Sequence, residues 1–145
     1  MTVTAGVVGC VSISAIGDPL PDFRVHLGRY TGLFGANADA ASVAAMSPLP
    51  RIRPGMASVL CTHAVEDKVV PIASHKEFAA AYRATGNDCE FFEYPASLRK
   101  GLTGHCIWIP GSKPHRLIPE IEARIKAFMK TCAEHNHRSP RRQSM

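Results

Sequence analysis

Ala57-Ser58-Val59-Leu60-Cys61-Thr62-His63-Ala64-Val65-Glu66-Asp67-Lys68-Val69-Val70-Pro71 is the stretch whose reading decides the fold. Residues 57–62, built on Val59, Leu60 and Cys61, predict a strand. A polar turn carrying Asp67 follows, and Pro71 closes it. An amphipathic helix is predicted over 74–85. Phe78, Ala81 and Tyr82 fall on one face, Ser74 and Glu77 have the spacing of a capping box, and Gly86 sits where a left-handed C-cap is wanted. Residues 89–94, Cys-Glu-Phe-Phe-Glu-Tyr, predict the next strand, ended by Pro95. Strand, helix, strand in this rhythm makes a crossover unit with parallel strands.

Working outward, residues 3–16 are rich in valine, isoleucine and threonine and apolar at odd and even positions alike, which predicts a further strand, central in its sheet. Gly17-Asp18-Pro19 stops it. Residues 19–36, punctuated by Pro19, Pro21, Gly28, Gly32 and Gly35, read as a loop. Alanine-rich 37–46 predicts a short helix capped by Asn37 or Asp39 and ended by Ser47-Pro48. A turn is expected over 51–55 and a long loop over 95–117. Pro119 opens a last helix, whose Ile121, Ile125, Phe128, Met129 and Cys132 recur every three or four residues. The fold class is α/β, a parallel half-sheet of about three strands with flanking helices. Residues 1–132 form one partial domain and 133–145 a basic, disordered tail.

Composition limits the function classes. With 145 residues, 46% hydrophobic and 20% charged, the chain matches one globular domain and not a disordered one. No uncharged run is long enough for a membrane span, and the N-terminus lacks the basic start of a signal peptide. Arg138, Arg141 and Arg142 concentrate part of the net charge of +5 in the tail, and the rest is scattered. Nothing forms the basic stripe that nucleic acid requires. Five cysteines without paired spacing predict a reduced, cytoplasmic chain, with Cys10, Cys61 and Cys89 packed as small hydrophobes.

In open parallel sheets, ligands collect beyond the carboxyl ends of the strands. Asp67 and His105 both lie there, one after the 57–62 strand and one after the 89–94 strand. A carboxylate beside a histidine fixes its tautomer and stabilises the imidazolium formed on proton uptake. Taken singly, Asp67 reads as a loop carboxylate capping nearby amides.

With these residues in place, the chain resembles the C-terminal part of an α/β-hydrolase fold protein of the esterase or prolyl-oligopeptidase-like kind. His63-Ala64-Val65-Glu66-Asp67-Lys68-Val69-Val70-Pro71 is similar to the family's His-Gly-x-x-Asp-x-x-Val-Pro. Gly104-His105-Cys106-Ile107-Trp108 is similar to its Gly-His signature, and the run from Val11 to Asp18 to the strand and turn after the nucleophile helix. The resemblance implies that Asp67 is the triad acid and His105 the triad base, that the parent protein hydrolyses a small-molecule carboxylic ester, and that no metal or organic cofactor is needed. A prolyl-oligopeptidase-like peptidase is the alternative within the fold. A non-catalytic fragment or interaction module is the alternative outside it.

The departures shape the expectation as much as the matches. No G-x-S-x-G occurs in the chain, and Ser12 and Ser14 lie in a predicted strand without flanking glycines. The oxyanion-hole loop of the family has no counterpart, Ala64 stands for its glycine, and 96–103 is long. The chain is therefore expected to lack the N-terminal half with the nucleophile and to be inactive alone. The 3–16 strand would then present an open apolar edge, which predicts self-association. Cys132, His135 and His137 read as a helix end and tail rather than a zinc site. His26, His75 and His115 show no partner pattern, and Cys106 and Trp108 read as packing.

Overall fold

Residues 6–36, 38–95, 105 and 116–138 are described by a computed structural model. Three parallel strands, β1 (Gly9–Ile13), β2 (Ser58–Ala64) and β3 (Cys89–Tyr94), form one sheet in the order β1-β2-β3. β2 is the central strand, and every residue from Val59 to Ala64 is buried. This is the α/β half-sheet that the apolar runs predict.

β1 departs from expectation in length and place. It lies at the sheet edge, with Cys10 and Ile13 exposed, so it is not the doubly covered central strand its composition suggests. It is also shorter than 3–16, of which residues 3–5 lie outside the described part. Ser14 ends it by taking a left-handed conformation at φ 46°, while its amide still donates to the Thr62 carbonyl at 2.9 Å.

The stretch expected as a loop is helical. α1 (Leu20–Val25) and α2 (Leu27–Phe34) meet at His26. Pro21 sits in the first turn of α1, where a missing N–H breaks no helical bond. The Tyr30 hydroxyl donates to Asp22 at 2.9 Å, and its ring packs edge-on against Phe23, tying the two helices together. α3 (Ala40–Met46) is capped as expected by Asp39, whose carboxylate accepts the Ser42 amide at 2.7 Å.

Two long helices cover opposite faces. Successive side chains of a strand alternate, so Val59, Cys61 and His63 face one way and Leu60, Thr62 and Ala64 the other. α4 (Ile72–Ala84) buries His75, Ala79 and Tyr82 against the first set, and Val59, Cys61, Ala79 and Tyr82 form one core cluster. α5 (Pro119–Arg138) closes the second face, where Ala64, Tyr94, Ile118 and Ile121 are buried together. α5 comes so close to β1 that a Cβ on Gly9 would lie 2.6 Å from Cys132 Sγ. Gly86 has φ +78° and ends α4 as predicted.

Two further expectations are corrected. α4 starts at Ile72, before Ser74, and no side chain caps it. Ser74 instead lies inside the first turn and reaches across to the segment between β1 and α1, where its Oγ accepts the amides of Gly17 at 3.0 Å and Asp18 at 3.2 Å. α5 runs on past Cys132 to Arg138, so residues 133–138 continue the helix that the tail was expected to end. Residues 139–145 lie outside the described part.

Candidate active site

Asp67 is held by the turn that leaves β2. Its amide donates to the Ala64 carbonyl at 3.2 Å. Its Oδ1 accepts the amides of Val69 at 2.8 Å and Val70 at 2.9 Å, a short side-chain-to-backbone turn of the kind aspartate favours. The second oxygen, Oδ2, is left without an amide partner in this turn. It meets His105, whose Nδ1 lies 2.9 Å away. The Asp67 side chain is fully buried, while that of His105 is 39% exposed. The two sequence-predicted residues are thus brought into contact from a separation of 38 positions. Gly104, Cys106 and Trp108, the neighbours in the Gly-His signature, lie outside the described residues.

The electrostatics keep Asp67 ionised. Burial pushes its carboxyl up, but the Val70 amide, His105 and the Val69 amide together pull it below the ordinary aspartate value. With a carboxylate accepting at Nδ1, the neutral His105 ring carries its proton on that nitrogen and leaves Nε2 without one. A bare imidazole nitrogen backed by a buried carboxylate is suited to take a proton from a hydroxyl.

A second histidine stands behind the same carboxylate. His63, fully buried, places Nε2 3.0 Å from the Val70 carbonyl and 3.4 Å from Asp67 Oδ2. Its other nitrogen, Nδ1, meets His75 Nδ1 at 2.9 Å. His75 Nε2 in turn lies 3.0 Å from Ser12 Oγ. The reading of His75 as partnerless is therefore corrected. Sequence spacing gave no hint of this chain, because Ser12, His63 and His75 come from three elements. The one local signal was that His75, Ala79 and Tyr82 share a helical face, which turns the imidazole inward.

Among the described residues, no group of three or more His, Cys, Asp or Glu is arranged to hold a metal ion. No helix among them is long and apolar enough to cross a membrane.

Comparison with known proteins bears on the fold. A planctomycete esterase of Thermogutta terrifontis in its propionate-bound form is 17% identical, with a TM-score of 0.57 over 93% of this chain and 45% of that one. Its native form gives 16%, 0.55, 97% and 47%. An acetyl ester-xyloside bifunctional hydrolase of Caldicellulosiruptor lactoaceticus gives 24%, 0.52, 61% and 32%. The fold is that of part of an α/β hydrolase. The chain spans less than half the length of each of these structures. No protein-family model and no curated protein matches it.

Proposed function

We propose that this chain carries the acid and the base of a serine-type carboxylic ester hydrolase, with Asp67 orienting His105. The observation that carries the reading is the 2.9 Å contact between Asp67 Oδ2 and His105 Nδ1 at the carboxyl end of a parallel sheet. The esterase relationship of the fold supports it. In the proposed reaction, His105 Nε2 takes the proton of a serine hydroxyl as that oxygen attacks the ester carbonyl, then returns it to the departing alcohol. Asp67 stabilises the imidazolium between the two steps. Neither step needs a metal or an organic cofactor, and the substrate of the parent protein is a small-molecule ester.

The nucleophile of that reaction has no G-x-S-x-G in these 145 residues. Loss of a triad serine costs on the order of 10⁶ in turnover in a serine protease, so this chain alone is expected to show no catalytic turnover of esters. Cys10, Cys61, Cys89 and Cys132 are free thiols, which suits a cytoplasmic setting.

Hydrolysis of p-nitrophenyl butyrate tests both halves of the proposal. The chain alone should give no saturable turnover, and a saturable rate lost in His105→Ala would refute the inactivity. Any longer reading of the same gene that brings in a G-x-S-x-G should turn the ester over, with His105→Ala lowering kcat by roughly 10³-fold or more. Full activity of that variant would refute the role given to His105.

A further inference from the structure

The contacts from Ser12 to His63 have the geometry of a nucleophile, a base and the group that orients the base. Their hydrogen-bond directions follow from one fixed point. The Val70 carbonyl can only accept, so His63 Nε2 carries a proton and donates to it at 3.0 Å. The neutral His63 ring then has a bare Nδ1, which accepts from His75 Nδ1 at 2.9 Å. This leaves His75 Nε2 bare, and the Ser12 hydroxyl donates to it at 3.0 Å. Both histidines are completely buried, whereas Ser12 is only half-buried on the edge strand. A small cavity of about 100 Å³ opens on the pair, lined by Ser12, Ala15, Ile16, Pro48, His75 and Phe78. Its walls are mostly apolar and its volume suits a short acyl group.

We propose that Ser12, His75 and His63 form a second relay, with its own hydroxyl and base but ending beside the Asp67 carboxylate that also meets His105, in which Ser12 is acylated by small activated esters. Ser12 Oγ attacks the carbonyl carbon of p-nitrophenyl acetate whose acetyl group sits in the cavity. Its proton passes to His75 Nε2, and the proton on His75 Nδ1 passes to His63 Nδ1. The carbonyl carbon's bond to the aryl oxygen breaks with its electron pair, and p-nitrophenolate leaves. Acetyl-Ser12 and a protonated His63 remain. The positive charge comes to rest on the ring that lies 3.4 Å from Asp67 Oδ2, not on His75. Burial disfavours the charged form of both rings, but at His63 the Val70 carbonyl and Asp67 work against it, whereas at His75 burial and the neighbouring His63 lower the pKa to about 4, so His75 holds a proton only in passing. The event is one acylation per chain, and release of the acetyl group is no part of the proposal.

The test is to mix the full chain with p-nitrophenyl acetate, follow p-nitrophenolate release, and locate the acetyl group by peptide mass mapping. The expected result is a burst of about one equivalent with the acetyl group on Ser12. Ser12→Ala should abolish the burst, and His75→Gln should slow it at least ~100-fold, the lower end for a lost general base. The parental chain unfolded in concentrated urea is the second measurement, which holds even if His75→Gln folds poorly. Ser12 should then acetylate no faster than other serines. The proposal is overturned by acetylation at other residues only, by the absence of a burst, or by Ser12 reacting as fast in His75→Gln or in urea.

Discussion

Replacing Asp67 by asparagine probes the site most sharply. The carboxylate accepts the amides of Val69 and Val70 and the ring nitrogen of His105, all within 2.9 Å. Asparagine can keep the two amide bonds through its carbonyl oxygen, but without charge assistance, at a cost of about 1 kcal/mol each. Its NH₂ group then faces His105 Nδ1, which loses a charge-assisted bond of about 2 kcal/mol. No longer burying a charge offsets part of this sum. A net loss of about 2 kcal/mol at pH 7 is expected, a drop of roughly 6–7 °C in Tm for a chain of this size. The pH dependence has a definite sign. The folded carboxyl binds its proton less readily than the unfolded one, so its contribution is complete above the unfolded value near ~3.9. It is lost as pH falls through the lower folded value. Urea unfolding of parent and variant should therefore converge as pH falls below ~3.9 and through the lower folded value. Equal stabilities at pH 7, or a difference that survives acidification, would refute the reasoning.

Three further outcomes follow. A Cβ on Gly17 would lie 2.5 Å from the Ser74 carbonyl and 2.7 Å from Phe78 Cβ, so Gly17→Ala should destabilise by about 1–3 kcal/mol in urea unfolding. With the folded pKa of His75 lowered to about 4 by burial and His63, the unfolded state binds more protons between that value and ~6.5. Stability should therefore fall by roughly 3 kcal/mol as pH drops through this window, and a flat profile would count against the buried pair. The open edge of β1, with Val7 77% exposed and Cys10 exposed, should drive self-association that Cys10→Lys suppresses; light scattering showing a monodisperse parental monomer would contradict it.

What the sequence made legible was whatever has a local cause. The strand of residues 89–94, the cap at Asp39 and the left-handed Gly86 each depend on a few neighbouring residues, and each is found in place. Where distant contacts decide, local reading failed. Ser74 has the spacing of a cap, yet its hydroxyl is taken by the amides of Gly17 and Asp18. Pro21 and three glycines, Gly28, Gly32 and Gly35, disguised α1 and α2, which Tyr30 holds together through Asp22. The apolar composition of β1 reads as central, although in this chain one side of the strand has no neighbouring strand among the described residues. At the site, Asp67 and His105 were legible because each follows a predicted strand. Ser12, His63 and His75 were not, since only the β1–β2 register and the inward face of α4 bring them together.

The most direct test of the account is the tautomer of His105, read from long-range proton–nitrogen NMR correlations of its ring at neutral pH. A buried carboxylate at Nδ1 predicts the proton on that nitrogen, with Nε2 bare, and a switch to the other tautomer in Asp67→Asn. A proton on Nε2 in the parental chain, unmoved by that substitution, would contradict the pairing on which the proposed function stands.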